Sequence, residues 1–304
     1  MLSDYSSLID RFGDAVHTNE PLARYTVARL GGPSDALIEA NSVDQLADVL
    51  AMCWQYQWPT RIIGGGSNVL IADEGYRGVI VINQAKGLRI DSVTGIVHAD
   101  SGISLTQLAR ETIAVGLSGF EWAIGIPGTV GGAVVNNAGA HGRDMAANVQ
   151  TVALLLAPAT RETWTAEKLG YQYRESTLKH RTASQRPIAV LQAELCFSTG
   201  NDPAALRTKA DEYQAQRKRS QPPGASLGSM FKNPPGDYAG RLLDVAGLKG
   251  TRIGGVQISP IHANFFVNIG GGTASDYLAL IRLAQETIRD QFGITLELEV
   301  ELIG

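Results

Sequence analysis

"IGIPGTVGGAVVNNAGAHG", residues 124 to 142, is the stretch on which the reading of this chain turns. Small residues fill almost every position, Pro127 fixes one turn, and Asn136 and Asn137 bring two amide side chains to short range. Backbone this bare can line a flat ligand and meet its ring edge with many hydrogen bonds. Packing of backbone against backbone is the competing account. The length of the stretch and its polar groups favour the ligand. The segment reads as loop and turn around a short buried piece.

Upstream, Gly64-Gly65-Gly66-Ser67-Asn68 separates the apolar pair Ile62-Ile63 from Val69-Leu70-Ile71. Successive amides in such a turn form a nest for phosphate oxygens, and Ser67 and Asn68 add side-chain groups. The segment runs on into a strand, so it lacks the helix N-terminus of a Rossmann site. It also lacks the Lys-Ser/Thr of a P-loop. A tight hairpin accounts for a lone triglycine about equally well.

Residues 3 to 17 have amphipathic helical spacing, with Leu8, Ile9 and Phe12 on one side. "DALIEA" (35 to 40), "TRIIG" (60 to 64) and "GVIVIN" (78 to 83) read as strands, with a helix over 42 to 56 capped by Ser42 or Asp44. A helix over 104 to 117 stops at Gly116. Residues 151 to 158 and 188 to 197 read as strands of a mixed sheet. After Gly200 the pattern changes to helices over 203 to 220, 239 to 247 and 274 to 293, and strands over 265 to 270 and 295 to 304. That half reads as an α+β region of its own.

The 304 residues suit two or three domains. Net charge is -4, and no basic tract offers a patch for nucleic acid; "QAQRKRS" (214 to 220) reads as a solvated helix end. Cys53 and Cys196, in apolar surroundings, make neither a disulfide framework nor a zinc site, so no metal is expected. No apolar run approaches the ~20 residues of a membrane span. A reducing, cytoplasmic compartment is expected, with no membrane or obligate protein partner.

"RIIGGGSNVLIADEGYRGVIV" (61 to 81) followed by the stretch at 124 to 142 resembles the UDP-N-acetylenolpyruvoylglucosamine reductase family. The likeness continues through "YTVARLGGPSDALIEA" (25 to 40), "YQYRES" (171 to 176), "GSMFKNP" (228 to 234), "AGLKGTRIGGVQIS" (246 to 259), "HANFFVN" (262 to 268) and "LELEVELIG" (296 to 304). The order is the family's, over nearly the whole chain. The resemblance implies an α+β protein: an FAD-binding domain of the vanillyl-alcohol-oxidase type with two α/β subdomains, and a separate α+β substrate-binding domain. The expected boundaries are 1–200 for the first, with subdomains at roughly 20–85 and 86–200, and 201–304 for the second. The C-terminal strand 295–304 can return to the FAD domain.

The implied cofactor is FAD, held on Gly64, Gly65, Gly66, Ser67, Asn68, Gly125, Pro127, Gly128, Thr129, Gly131, Gly132, Asn137 and Gly139. Residues 60 to 70 contain no histidine, so attachment there is non-covalent. The implied reaction reduces an enolpyruvyl ether on a UDP-sugar with hydride from NADPH. By motif, Arg174 matches the family's carboxylate-binding arginine, Ser229 its proton donor to carbon, and Glu299 its glutamate near the enolate. Lys232 and Asn233, with Tyr173 as a weaker candidate, are expected to face the UDP-sugar; His262 is expected only to pack. Departures are Ala28, where an aromatic is common, and His141, where tyrosine is common. The short stretch between Arg174 and Gly200 resembles the branch without a tyrosine-bearing closing loop. Two rivals remain: a flavin oxidase of the same fold acting on another substrate, and an inactive nucleotide-binding module.

Overall fold

Capping and periodicity start helix Val43–Gln55: the Gln45 amide donates to Ser42 Oγ (3.1 Å), and Leu46, Val49, Leu50 and Cys53 follow at helical spacing, all buried. Each such leucine or valine contributes about 2 kcal/mol by leaving water. A computed structural model describes residues 5–179 and 187–304. The chain folds as two units: Met1–Thr18, Ala36–Gly65 and Gly78–Ala215 form the first, and Asn19–Asp35, Gly66–Arg77 and Gln216–Gly304 the second. The expected boundary at 200/201 differs from this division. Helix Pro203–Ser220 runs unbroken through 215/216, and two early segments group with the C-terminal region.

Unit 1 places helix Val43–Gln55 beside a four-stranded sheet ordered Val16–Pro21, Pro33–Ala40, Tyr76–Asn83, Thr60–Ile63. Thr60–Ile63 pairs in parallel with Val79 to Ile82, a run buried on both faces. The second sheet of unit 1 has five strands, ordered Thr160–Thr165, Val149–Leu156, Ile188–Cys196, Ile96–Asp100, Leu88–Ile90. Its pairings are antiparallel throughout, not mixed as expected. One face, including Val97, Val152 and Leu195, packs with helices Leu105–Ala114 and Val130–Asn136. Leu155, Ala189 and Leu191 join the core around helix Val43–Gln55.

Unit 2 holds the antiparallel sheet Ala225–Ser229, Phe265–Asn268, Val256–Ile258, Arg252–Ile253, with helices Ala239–Val245 and Ala274–Phe292. The long helix begins at a capping box of Thr273 and Asp276. The Asp73 carboxylate accepts from the amides of Ala274 (2.7 Å) and Ser275 (2.9 Å) and from Ser275 Oγ (2.6 Å). Strand Glu301–Ile303 pairs in parallel with Val69–Ile71, the strand that follows the first glycine loop.

Three expected elements change. The N-terminal helix covers only Ser6–Phe12, and Val16–Pro21 is a strand. The bare stretch contains a helix, Val130–Asn136, where loop was expected. The C-terminal strand shrinks to Glu301–Ile303 because its run changes partner, as Glu299 N donates to Met230 O and Glu301 N donates to Asn68 O. Alternation holds as far as Val300, with Leu296 and Val300 inside, and then breaks: Leu302 is exposed and Ile303 buried.

Candidate functional site

In unit 1 the two glycine segments touch through backbone. A Cβ on Gly64 would collide with Thr129 Oγ1, and one on Gly65 would lie 3.2 Å from Gly128 Cα. Only glycine permits that approach. The Val130 amide donates to Ile103 O (2.9 Å), the Gly131 amide to Ser101 O (2.8 Å) and the Gly125 amide to Thr106 Oγ1 (3.1 Å), so residues 101–106 brace the second segment from behind. Gly65, Gly125, Pro127 and Gly132 are exposed in front of this bracing. At Gly132 an added Cβ would meet nothing closer than Thr129 Oγ1 at 3.8 Å. The result is a braced segment whose exposed glycines bring no side chain of their own, which fits a flat aromatic group laid against it.

Asn137 and Gly139 behave differently. Asn137 is 2% exposed, and its side chain bonds to protein: Nδ2 donates to Gln172 O (2.9 Å) and Asp144 Oδ2 (3.2 Å), and Oδ1 accepts from the Ala146 amide (3.0 Å). A Cβ on Gly139 would run into Arg143 O. Gly139 pairs with Asp144 in a short antiparallel ladder.

Gln172 and Glu175 exchange both main-chain hydrogen bonds (3.1 Å each), leaving Tyr173 and Arg174 at the tip of a two-residue turn. Arg174 has φ +56°, left-handed backbone that costs a non-glycine residue about 1 kcal/mol. Its guanidinium donates to Gly139 O (2.7 Å) and weakly to Asn137 O (3.5 Å), and lies 5.3 Å from the Tyr173 ring centre. Lys179 Nζ donates to Arg174 O, and Ser176 Oγ to Val135 O (2.6 Å). Tyr171, behind the turn, is pushed well above the usual phenol range by burial and then by the Asp144 carboxylate. His141 stacks on Tyr213 at 4.2 Å.

In unit 2, Ser229 ends a strand opposite Phe265, after a register shift at which Gly228 takes φ +77°. The bulge lets the strand turn there. Asn264, 3% exposed, clamps the next residues: Oδ1 accepts from Phe231 N (2.9 Å) and Nδ2 donates to Phe231 O (2.8 Å), while Met230 N donates to Asn264 O (2.8 Å). Glu299 N donates to Met230 O (2.9 Å), which makes Glu299 a neighbour of the residue after Ser229. Of three alternating glutamates, Glu299 is half-buried while Glu297 and Glu301 are exposed. Asn68 Nδ2 donates to Glu299 O (3.0 Å), so Asn68 is committed to the glutamate's main chain. Ser67 is half-buried beside it, and Gly66 accepts from the Val27 amide (3.0 Å).

Lys232 Nζ lies 3.3 Å from Glu297 Oε2, and its amide donates to Glu297 O (2.9 Å). Asn233 Oδ1 accepts from the Ala239 amide (3.1 Å) at the start of a helix. His262 packs edge-on to Phe265, and its Nδ1 accepts from the Asn264 amide (3.2 Å). Burial, then Lys249, holds it below the ordinary histidine value. Sequence reasoning passed over Asn264, Asp144 and Asp73; only the aromatic neighbours of Asn264 in "HANFFVN" hint that its amide is buried.

Residues 219–303 match the family model for the UDP-N-acetylenolpyruvoylglucosamine reductase C-terminal domain, and residues 34–163 match an FAD binding domain. A UDP-N-acetylenolpyruvoylglucosamine reductase of Chloroflexus aggregans is 43% identical over 287 residues, 94% of this chain and 96% of the relative. The chain belongs to the UDP-N-acetylenolpyruvoylglucosamine reductase family. Another reductase of this family, from Bacillus subtilis, is 41% identical over 95% of this chain and 94% of its own length. The solved structure of the Thermus caldophilus reductase superposes with a TM-score of 0.79 at 33% identity, covering 94% of this chain and 98% of that one. The FAD-binding match spans both glycine segments. Among the described residues, no helix is long and apolar enough to cross a membrane, and no group of metal-ligating side chains gathers.

Proposed function

We infer that this chain reduces UDP-N-acetylenolpyruvoylglucosamine to UDP-N-acetylmuramate with NADPH and FAD, a step in building peptidoglycan precursors. Similarity to reductases of this name along nearly the whole chain carries the reading. FAD, held by Gly64 to Asn68 and Gly125 to Gly132, would supply the hydride, drawn from NADPH, that the methylene carbon of the enolpyruvyl group accepts. The chain's own residues do the rest. Arg174 receives the substrate carboxylate, since a guanidinium fork matches it bidentately and keeps its charge near neutrality. Its turn, tied to Asn137 and Gly139, supports that role.

Hydride addition leaves negative charge spread over the carboxylate-bearing carbon. Ser229 hands its hydroxyl proton to that carbon and is reprotonated by a neighbour or solvent. Serine is a weak acid in water, so the transfer relies on short range and a strongly basic carbon. Glu299 steadies the enolate by hydrogen bonding. Its half-burial, unlike that of Glu297 or Glu301, favours it for this task. Lys232, Asn233 and Tyr173 contact the UDP-sugar. Gly64 to Asn68 and Gly125 to Gly132 hold the flavin without a covalent bond, and Asn137 and Gly139 shape that segment from within. Cytoplasm is the proposed compartment, consistent with the free cysteines Cys53 and Cys196.

The test is direct. Purified protein reconstituted with FAD is expected to be yellow and to consume NADPH only when the enolpyruvyl UDP-sugar is added, without oxygen uptake. Substrate-independent oxygen consumption would instead favour an oxidase, and protein that stays colourless with FAD would defeat both readings.

A further inference from the structure

A buried asparagine that uses both amide hydrogens and its carbonyl within the protein is built to hold other groups in place. Asn137 does this at the end of helix Val130–Asn136, in left-handed backbone with φ +43°. Asparagine tolerates that conformation better than most residues, and its short amide still reaches local main-chain groups. One amide hydrogen goes to Gln172 O (2.9 Å), the residue at the base of the two-residue turn that carries Arg174. The other goes to Asp144 Oδ2 (3.2 Å). The carbonyl takes the Ala146 amide (3.0 Å). Meanwhile the main-chain oxygens of Asn137 and Gly139 accept from the Arg174 guanidinium at 3.5 and 2.7 Å.

These bonds close a ring. The side chain of Asn137 fixes the base of the Arg174 turn, while the segment it begins receives the guanidinium at the tip. Three pieces of unit 1, residues 137–139, 144–146 and 172–175, meet at one amide. We propose that Asn137 is a positioning residue for Arg174, holding the guanidinium where it meets the carboxylate of the substrate, with Asp144 as its anchor. No flavin contact is needed for this role. The proposal rests on the reading that Arg174 binds the substrate carboxylate.

Aspartate at this position would abolish both donations and set a second carboxylate against Asp144. Glycine would keep the left-handed backbone while deleting the amide. Asn137→Gly therefore isolates the side chain. The measurement is the affinity of FAD-reconstituted protein for UDP-N-acetylmuramate against UDP-N-acetylglucosamine, by titration of the flavin absorbance and calorimetry. Both carry the same nucleotide and sugar, and only the first carries the ether-linked carboxylate.

Asn137→Gly is expected to cut the preference for the carboxylate ligand at least about tenfold, roughly 1.4 kcal/mol. Affinity for UDP-N-acetylglucosamine stays within about twofold. Asp144→Ala, which removes one anchor and leaves the other two bonds of Asn137, gives the same selective loss at smaller size. It decides the matter alone should Asn137→Gly not fold. Equal weakening of both ligands, or an unchanged preference, would overturn the proposal. Arg174→Met separates the two levels. If it leaves the preference intact, the carboxylate reading itself is wrong. If it abolishes the preference and neither Asn137→Gly nor Asp144→Ala alters it, only the positioning role falls.

Discussion

The Arg174 turn in unit 1 and the Ser229 and Glu299 segments in unit 2 are held in place by different means. Beyond its own two-residue turn, Arg174 is fixed by side chains: Asn137, Ser176 and Lys179 each donate to main-chain oxygens around it, and its own guanidinium closes the network. Ser229 and Glu299 are set mainly by main chain, through strand register and the bond from Glu299 N to Met230 O. Main-chain bonds survive most substitutions, whereas a side-chain network fails with one residue. The placement of Arg174 is accordingly the more fragile of the two, and that of Ser229 and Glu299 the sturdier.

The largest expected effect breaks chemistry without disturbing either scaffold. Ser229→Ala slows reduction of the UDP-sugar by about 10²- to 10⁴-fold, the usual worth of a positioned acid, and leaves flavin reduction by NADPH nearly intact. Stopped-flow measurement of the two half-reactions checks it; equal losses in both would remove the serine from its assigned step. Next comes a place where the unit 2 segment depends on a side chain. Asn264→Ala strands both main-chain groups of Phe231 in the interior, at about 3 kcal/mol in denaturant midpoint or an equivalent fall in Tm. No loss of stability would mean that strand pairing alone fixes Met230 and Phe231.

Arg174→Lys keeps the charge and loses the fork. Binding of UDP-N-acetylmuramate is expected to weaken by roughly ten- to a hundredfold, with thermal stability little changed. A fall in Tm with unaltered affinity would make the arginine a structural brace only. The smallest effect concerns pH. Burial raises the pKa of Asp73, but hydrogen bonds from Ser275 Oγ and the amides of Ala274 and Ser275 more than offset it, leaving the carboxyl below its ordinary value. Its stabilisation is thus complete above about pH 4 and lost as pH falls through the lowered folded-state pKa. Asp73→Ala costs about 1 kcal/mol at pH 7, and the gap to the parent protein closes on acidification; parallel pH profiles would contradict the cap.

Much of this was legible beforehand. Ser42 and Ser104 announce their helices, and Gly64 to Asn68 lie in a turn between strands as the spacing suggests. Helix Val130–Asn136 was hidden because its two glycines are poor helix formers, and tertiary packing of Val130, Ala133 and Val134 overrides that tendency. The C-terminal alternation reported burial as far as Val300 and failed at Leu302 and Ile303, where the run changes partner, since side-chain period carries no news of which strand lies alongside. The roles of Asn137 and Asn264 were invisible for a simpler reason. An amide's hydrogen-bond partners come from elsewhere in the sequence, and beyond the aromatic neighbours of Asn264 nothing local marks either asparagine as buried.

The bond from Asn68 to Glu299 joins residues 231 positions apart, and the parallel pairing beside it is as far-flung. Such contacts close late, since long-range pairing must meet the entropy of a large loop first. A ribosome must therefore release the chain as far as Ile303 before Val69–Ile71 can find its mate. Until then that strand presents an open edge to other nascent chains, which makes the interval the molecule's most exposed moment for aggregation.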